Sequence, residues 1–306
     1  MIVGIQNIIT KNIPDGVLLR TGISFLFFCF MFSAALMNIV SGMIVIDNPP
    51  KVEKIDSPGW KVSVSSGVNL SQSAYSNWVK GGESALAWVL STNSHFIYTT
   101  QKYIIVTEGK FLYGKTKIGG ASARKSEDRI NVETMLQNKK PILSMFVSLR
   151  AETQFDFGKK YTGDKSIAVS KFADPLYLYQ SGGFVYNYRQ NFQTRLGISF
   201  KTTRTQRFPL YSDKTNTAKI EKIRFERGLE SQIKGKIMVM KNLTLSSETK
   251  LFSTLASLIS TDIEFENILT AVVNKYVVVN FNYYLIYLML PTQFLNCLTY
   301  FVILEF

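Results

Sequence analysis

The amino-acid sequence predicts an all-β protein, a closed antiparallel membrane β-barrel of about twelve strands that follows an N-terminal signal segment. Three observations lead to this prediction: long segments with two-residue alternation, opposite chemistry on the two faces of those segments, and connections that alternate between short and long. The clearest segment is residues 142–157, where an apolar face opposes a polar face that carries Arg150, Glu152 and Asp156. Because a strand points successive side chains to opposite faces, this segment suits a sheet with lipid outside and water inside.

The first 42 residues are predicted to be an export signal. Lys11 and Arg20 precede an uncharged apolar run over residues 21–40, and Ser33-Ala34-Ala35 or Ser41-Gly42 offers a cleavage site of small residues. These are the parts of a signal peptide. The run is also long enough to span a membrane as an uncleaved helix, which is the alternative. Residues 43–59 are then a linker, and residues 60–306 form the barrel.

Two-residue alternation recurs throughout residues 60–306. In residues 262–273, for example, Ile263, Phe265 and Leu269 alternate with acidic or polar side chains. An even strand number is typical of single-chain outer-membrane barrels. The predicted strands cover residues 61–70, 85–98, 103–115, 128–136, 142–157, 176–188, 192–203, 225–239, 243–255, 262–273, 277–285 and 294–306.

The connections between the predicted strands differ in length in a regular way. Short turns at residues 138–141, 189–190, 241–242 and 274–275 alternate with long loops at residues 72–83, 116–125, 158–175 and 205–222. In outer-membrane barrels the short turns face the periplasm and the long loops face outward. A soluble β-sandwich has no reason to sort its connections in this way.

Charge is predicted to be balanced inside the barrel and positive outside it. The formal net charge is +13, and the inner face should carry similar numbers of both signs, with Arg150/Glu152 and Lys234/Glu248 as pairs because buried charges need partners. The other inward charges are Lys110, Arg129, Arg195, Lys201, Lys236, Lys250, Glu108, Glu133, Asp156, Glu226, Glu230, Glu264 and Glu266. The excess lies in connections, at Lys159, Lys160, Lys165, Lys171, Arg204, Arg207, Lys214, Lys219 and Lys222.

These basic connections indicate partners. If the long loops are outside, their lysines face acidic surface polysaccharide or lipid phosphate. Nucleic acid is not expected as a partner, because no basic groove with interleaved aromatic side chains is formed. Six aromatic residues near strand ends are expected at the membrane–water boundary, where such rings settle. They are Trp60, Trp78, Tyr177, Tyr179, Tyr186 and Tyr188.

No catalytic, cofactor or metal site is predicted. His95 is the one imidazole and lacks an evident serine or aspartate constellation, while Cys29 and Cys297 give no disulfide framework. Gly81-Gly82 and Gly119-Gly120 are interpreted as turn glycines rather than a phosphate cradle. The inward ladder Asp262, Glu264 and Glu266 could hold a cation, but pairing with inward lysines is favoured.

One further motif is the run GVNLSQ at residues 67–72, followed by Asn77-Trp78 and Gly81-Gly82-Glu83. With these residues the chain resembles an uncharacterised family of Gram-negative bacterial proteins predicted to be secreted or outer-membrane β-barrels. It continues at residues 113–114, 127–130, 153–155, 172–178, 273–276 and 293–294. The family has no assigned activity, so the resemblance implies a fold and a location only. A departure is the apolar segment 285–291, where such families place a polar loop.

The end of the chain also resembles a known signal. Tyr300, Val302 and Leu304 alternate before Phe306, as in the carboxy-terminal strand read by the barrel assembly machinery. The expected function is therefore a structural or transport-type outer-membrane barrel without catalysis, either a narrow pore or a scaffold that presents loops. Two alternatives remain: an enzyme with its site at the barrel rim, and a soluble periplasmic β-protein.

Overall fold

The computed structural model describes residues 58–76, 82–140, 142–162, 165–188, 191–213, 219–274, 278–289 and 296–305, with backbone alone at 162, 257–260, 278, 288–289 and 296–305. The predicted signal segment, residues 43–57 of the predicted linker, Trp78, Lys214 and Phe306 lie outside the described residues.

Strands make up almost all of the described chain. Its only helical element is a 3₁₀ turn at Pro209–Tyr211, and no helix in the described residues is long and apolar enough to cross a membrane. The strands are β1 Gly59–Ser73, β2 Ala85–Thr99, β3 Tyr103–Ile118, β4 Arg124–Asn138, β5 Leu143–Thr153, β6 Gly158–Thr162, β7 Lys165–Ser170, β8 Leu176–Tyr188, β9 Phe192–Arg204, β10 Ile223–Met240, β11 Leu243–Thr254, β12 Ser257–Val272, β13 Val278–Met289 and β14 Asn296–Glu305.

The strands form one large sheet and one small hairpin. Twelve strands pair in the order β1-β2-β3-β4-β5-β8-β9-β10-β11-β12-β13-β14, each antiparallel to its neighbours, while β6 and β7 pair only with each other. This confirms the all-β architecture, and the main sheet has the number of strands that alternation predicted. Within the described residues, no pairing joins β1 to β14.

Three local predictions were wrong. The strand predicted over residues 142–157 ends at Thr153, because the Asp128 carboxylate accepts the amide hydrogens of Phe155 and Asp156 and diverts the chain. The predicted loop 158–175 contains the hairpin β6–β7. The connection of β11 to β12 is the two-residue turn Leu255-Ala256, an exception to the alternation of connection lengths.

The main sheet is strongly curled. The ammonium of Lys110 on β3 lies 2.5 Å from the carboxylate of Glu266 on β12, although six strands separate them in the sheet order. In a flat sheet, seven steps of about 4.8 Å would put these strands about 34 Å apart. Arg129 on β4 likewise lies 2.8 Å from Glu264 on β12. The face that carries these side chains is therefore the inner face.

The outer face is apolar. On β5, Leu143, Met145, Val147 and Leu149 are each 51–60% exposed, while the intervening Ser144 and Phe146 are buried. The exposed apolar surface continues across the neighbouring strands at Phe184, Leu196, Ile198, Phe200 and Leu229. Soluble monomers rarely expose a contiguous apolar surface of this extent.

Aromatic side chains gather at both ends of the strands. The end joined by turns 100–102, 139–142, 189–191 and 241–242 is the short-turn end, and the opposite end is the long-loop end. At the short-turn end, Trp60 stacks on Tyr98 with ring centroids 4.8 Å apart, and Tyr186 and Tyr188 are exposed. At the long-loop end, Tyr113 packs edge-to-face against Trp88 and Phe155.

The long-loop end is held together by side-chain hydrogen bonds to the backbone. The buried Asp174 carboxylate accepts the amide hydrogens of Gln206 and Arg207, at 2.9 and 2.7 Å, and so ties the start of β8 to the β9–β10 connection. The buried Ser212 hydroxyl donates to the Glu221 carbonyl at 2.7 Å. These contacts fix the loops as a defined surface.

Candidate functional site: the ion-pair lattice

The inner face is filled by charged side chains that pair across the curled sheet. We call this set the ion-pair lattice. Most of its members are well buried, so each charge depends on a partner rather than on water. The lattice comprises Lys110, Arg129, Arg150, Arg195, Lys201, Lys234, Lys250, Glu108, Glu133, Glu152, Glu230, Glu248, Asp262, Glu264 and Glu266.

Arg195 on β9 is the most enclosed cation of the lattice with two carboxylate partners. Its guanidinium lies 2.5 Å from Glu133 on β4 and 2.6 Å from Glu230 on β10. The other oxygen of Glu230 accepts a hydrogen bond from the Ser181 hydroxyl at 2.5 Å. The planar guanidinium can hold two carboxylates at once, which explains why arginine rather than lysine occupies this position.

The acidic ladder on β12 pairs with cations from three other strands. Asp262 lies 2.5 Å from Lys201 on β9, Glu264 lies 2.8 Å from Arg129, and Glu266 lies 2.5 Å from Lys110. The sequence favoured pairing of this ladder over cation binding, and the geometry has that pairing at every rung. In the described residues, no group of three His, Cys, Asp or Glu side chains is arranged to hold a metal ion.

A second network lies toward the short-turn end. Lys234 bridges Glu108 at 3.0 Å and Glu248 at 3.8 Å, and Glu248 also contacts Lys250 at 3.4 Å. The predicted pairs Lys234/Glu248 and Arg150/Glu152 are both present, the latter at 3.1 Å.

Aromatic rings fill the space that the ion pairs leave. Tyr179, 3% exposed, lies under the Arg150 guanidinium at 4.1 Å and packs edge-to-face on Phe252. The Lys201 ammonium lies 5.3 Å from the Tyr177 ring. The prediction that Tyr177 and Tyr179 lie at the membrane boundary was therefore wrong: both point inward.

Two rings rest on glycines of other strands. A Cβ at Gly197 would lie 3.2 Å from the Phe146 ring, and one at Gly228 would lie 2.7 Å from the Phe252 ring and 2.4 Å from the Ser253 carbonyl oxygen. Glycine is therefore required at Gly228 by close approach rather than by backbone conformation.

One small cavity lies within the lattice. A cavity of about 10 Å³ lies among Lys110, Arg129, Glu264 and Tyr284, enough for about one water molecule. A larger cavity of about 390 Å³ opens at the short-turn end.

Other singled-out residues lie at the edge of the lattice or beyond it. His95 is half-exposed, with Nδ1 3.6 Å from the lattice member Glu108 on β3 and with Ser63 as its register partner on β1. Gly119 lies in the β3–β4 turn with φ +55°, as expected of a turn glycine. Asp156 was predicted on the inner face but lies in the connection after β5, where a hydrogen bond from the Tyr113 hydroxyl holds the pKa of its carboxyl below the usual value.

Several inner-face residues were missed by the sequence reasoning. Phe146 and Phe252 follow the alternation of their strands, but their apolar character hid their inward position. Arg224 pairs with Glu226 at 2.6 Å near the start of β10. Because residues two apart on a strand share a face, the prediction that Glu226 faces inward also predicts an inward Arg224.

Comparison with known proteins gives one match. A family model described as "Protein of unknown function (DUF3078)" matches residues 70–161, from the end of β1 to β6. No curated protein matches the chain. The predicted resemblance to an uncharacterised family is thus confirmed for this stretch of the chain.

Proposed function

We propose that the protein is an outer-membrane β-barrel with a lumen closed by the ion-pair lattice, and that it serves as a structural scaffold without catalysis. The observation that carries the proposal is the combination of an apolar, exposed outer face with charges paired across the inner face. Water-soluble β-proteins bury apolar side chains inside, whereas a membrane barrel has the reverse arrangement. The lipid contact would be made by the surface around Val147 and Ile198.

Closure of the sheet is part of the proposal. The main sheet has twelve strands, each antiparallel to the next, so β1 and β14 run in opposite directions and are able to pair with each other. A closed sheet satisfies the edge hydrogen bonds that lipid cannot accept. The short-turn end would then face the periplasm.

The scaffold role follows from the two ends of the strands. Ion pairs cross the middle of the inner face, which argues against a wide aqueous pore, while the long-loop end is tied into a defined surface by Asp174 and Ser212. The hairpin β6–β7 extends this surface and carries Lys159, Lys160 and Lys165. We propose anionic surface polysaccharide as the partner of this hairpin.

Planar-bilayer recording on the purified protein tests the closed lumen. Wild type should give no resolved conductance steps, because the ion pairs Lys110–Glu266 and Arg129–Glu264 cross the lumen. The double variant Lys110→Ala/Glu266→Ala removes a pair that spans the lumen and should give steps. The matched control, Lys159→Ala/Lys160→Ala, changes two charges on the outer hairpin and should stay silent.

Two results would overturn the proposal. Conductance by wild type at the level of the lumen variant would mean that the lumen is open. Recovery of the native protein in the soluble periplasmic fraction, without a heat-dependent shift in gel migration, would mean that it is no membrane barrel. A rim enzyme would instead be revealed by a hydrolase or acyltransferase activity that His95→Ala abolishes.

A further inference from the structure

The cavity of about 390 Å³ at the short-turn end is a cup with a closed floor. Its walls come from the inner face of β8 to β12. The floor consists of Lys110, Lys234, Glu248 and Glu266, which pair with one another and with Glu108. The wall includes Asn187, Gln193, Lys236, Ser246 and Ile268.

Lys236 differs from the other lysines of the cup. Lys110 and Lys234 are neutralised by carboxylates at 2.5 and 3.0 Å. Lys236 lies one inward position nearer the rim on the same strand as Lys234, and it is exposed. Within the described part of the chain it takes part in no ion pair. The cup therefore presents one ammonium group whose charge is not balanced by a neighbouring side chain.

Hydrogen-bonding groups flank this ammonium. The Asn187 Oδ1 accepts a hydrogen bond from Gln193 Nε2 at 2.9 Å, which fixes the Asn187 amide and leaves its NH₂ group as a donor. Ser246 is the register partner of Lys236 on β11 and adds a hydroxyl that both donates and accepts. Ile268, which pairs with Ser246, is the one aliphatic side chain of the lining.

From this lining we infer that the cup binds a small, hydroxyl-rich organic anion, with a sugar acid as the representative class. Lys236 supplies the charge that recognises a carboxylate or phosphate, and the amide and hydroxyl groups match sugar hydroxyls. Ligand pockets usually span about 300–1,000 Å³ and are mostly apolar. This cup is at the small end of that range, and most of its lining residues carry polar or charged groups between their apolar portions, so it suits a monosaccharide-sized solute with both hydroxyl groups and a C–H face.

The inference rests on the proposed closed lumen in one respect. Because the floor is built of ion pairs, a solute that enters from the short-turn end binds and leaves by the same route. The cup is therefore a receptor site rather than one step of a conduction path. Its ligand-binding chemistry can be measured without reference to conductance.

Isothermal titration calorimetry on the purified full-length protein in detergent tests the inference, with glucuronate, glucose and acetate as probes. Glucuronate should bind at least tenfold more tightly than glucose, which lacks the charge, and than acetate, which lacks the hydroxyls. Lys236→Gln should weaken glucuronate binding at least tenfold, whereas Lys236→Arg, which keeps the charge, should stay within about threefold of wild type. Lys241→Gln, in the exposed β10–β11 turn, is the matched control and should bind like wild type.

Either of two outcomes would overturn the inference. One is the absence of a glucuronate signal with wild-type protein that shows the heat-dependent gel shift of a folded barrel. The other is equal glucuronate affinity in wild type and Lys236→Gln. Conductance by wild type would refute the closed lumen alone, so the two proposals can fail separately.

Discussion

At the scale of single residues, the inner face depends on charges that water does not reach. Arg195 is 3% exposed and holds Glu133 and Glu230 on two strands at once. A buried cluster of ion pairs stabilises a fold little more than apolar residues of the same volume would. Loss of one charge from the cluster, however, leaves the charge of its partners buried and uncompensated. Most of the free-energy cost of substituting one charged residue therefore comes from the buried partner charges that it leaves unpaired.

Arg195→Met is expected to destabilise the fold by about 3–5 kcal/mol, because it leaves two buried carboxylates without their cation. The measurement is the free energy of unfolding from urea titration of the protein in lipid vesicles. Lys241→Met, at an exposed turn, is the control and should change stability by about 0.5 kcal/mol or less. A loss as small as the control's would show that water reaches Glu133 and Glu230.

The sequence predicts which face of the sheet most charged residues occupy, but it does not predict their partners on distant strands. Alternation placed Arg195 and Glu230 inside, and it placed Lys234 near Glu248 because these lie on adjacent strands. It could not place Arg195 beside Glu133, since two strands lie between β9 and β4 and only the curl of the sheet brings them together. Tyr177 and Tyr179 have odd numbers and Tyr186 and Tyr188 even numbers, so the two pairs lie on opposite faces of β8. This difference was enough to predict that Tyr177 and Tyr179 are on the inner face.

At the scale of elements, glycines on both faces of β10 determine how closely strands and rings pack. Gly228 on β10 lies beneath Phe252 and against the backbone of β11, whereas Gly235 on the same strand has only the Phe192 ring nearby, at 3.5 Å. The two positions therefore have the same residue type for different reasons. Glycine in a strand is otherwise less favourable than alanine.

Gly228→Ala is expected to lower the free energy of unfolding by about 1–3 kcal/mol, because the new methyl group overlaps the Ser253 carbonyl oxygen and the Phe252 ring. Gly235→Ala makes ordinary contacts and should be neutral or stabilising by up to about 1 kcal/mol. Urea titration of both variants in the same vesicles compares them directly. Equal effects would mean that β10 and β11 shift apart without strain.

Element boundaries were harder to predict than element faces. The alternation of residues 142–157 runs past Thr153 without a break, yet β5 ends there because the Asp128 carboxylate takes the next amide hydrogens. A side chain from another strand decides this ending, and the local pattern carries no trace of it. Similarly, β6 and β7 form a hairpin outside the main sheet. The many lysines of this segment led to its prediction as a loop.

At the scale of the whole molecule, the outer face distinguishes a membrane protein from a soluble one. Val147 is 58% exposed in the middle of β5, and Phe225 is 75% exposed near the long-loop end of β10. In a membrane these positions lie at different depths, whereas in water they are equivalent. The stability cost of a charged substitution at each of the two positions therefore shows whether lipid covers the outer face.

If the proposed barrel is correct, Val147→Arg places a charge at the bilayer midplane and is expected to cost about 2–4 kcal/mol in vesicles, while Phe225→Arg, near the interface, should cost about 0–1 kcal/mol. Urea unfolding of the refolded protein measures both. Equal small effects for the two variants would indicate that the outer face meets water, which is the expectation for a soluble periplasmic protein.

The ion pairs of the β12 carboxylates also have a consequence for the order in which the strands pair during folding. Lys110 and Glu266 are 156 residues apart in sequence, so their contact has a high loop-closure cost and forms late. Until β12 is in place, Arg129 lacks Glu264 and Lys110 lacks Glu266, the nearer of its two carboxylates, and both cations favour a hydrated inner face. Addition of the later hairpins is therefore the step that dries the interior, and a chain that stalls before it remains an open, water-filled sheet.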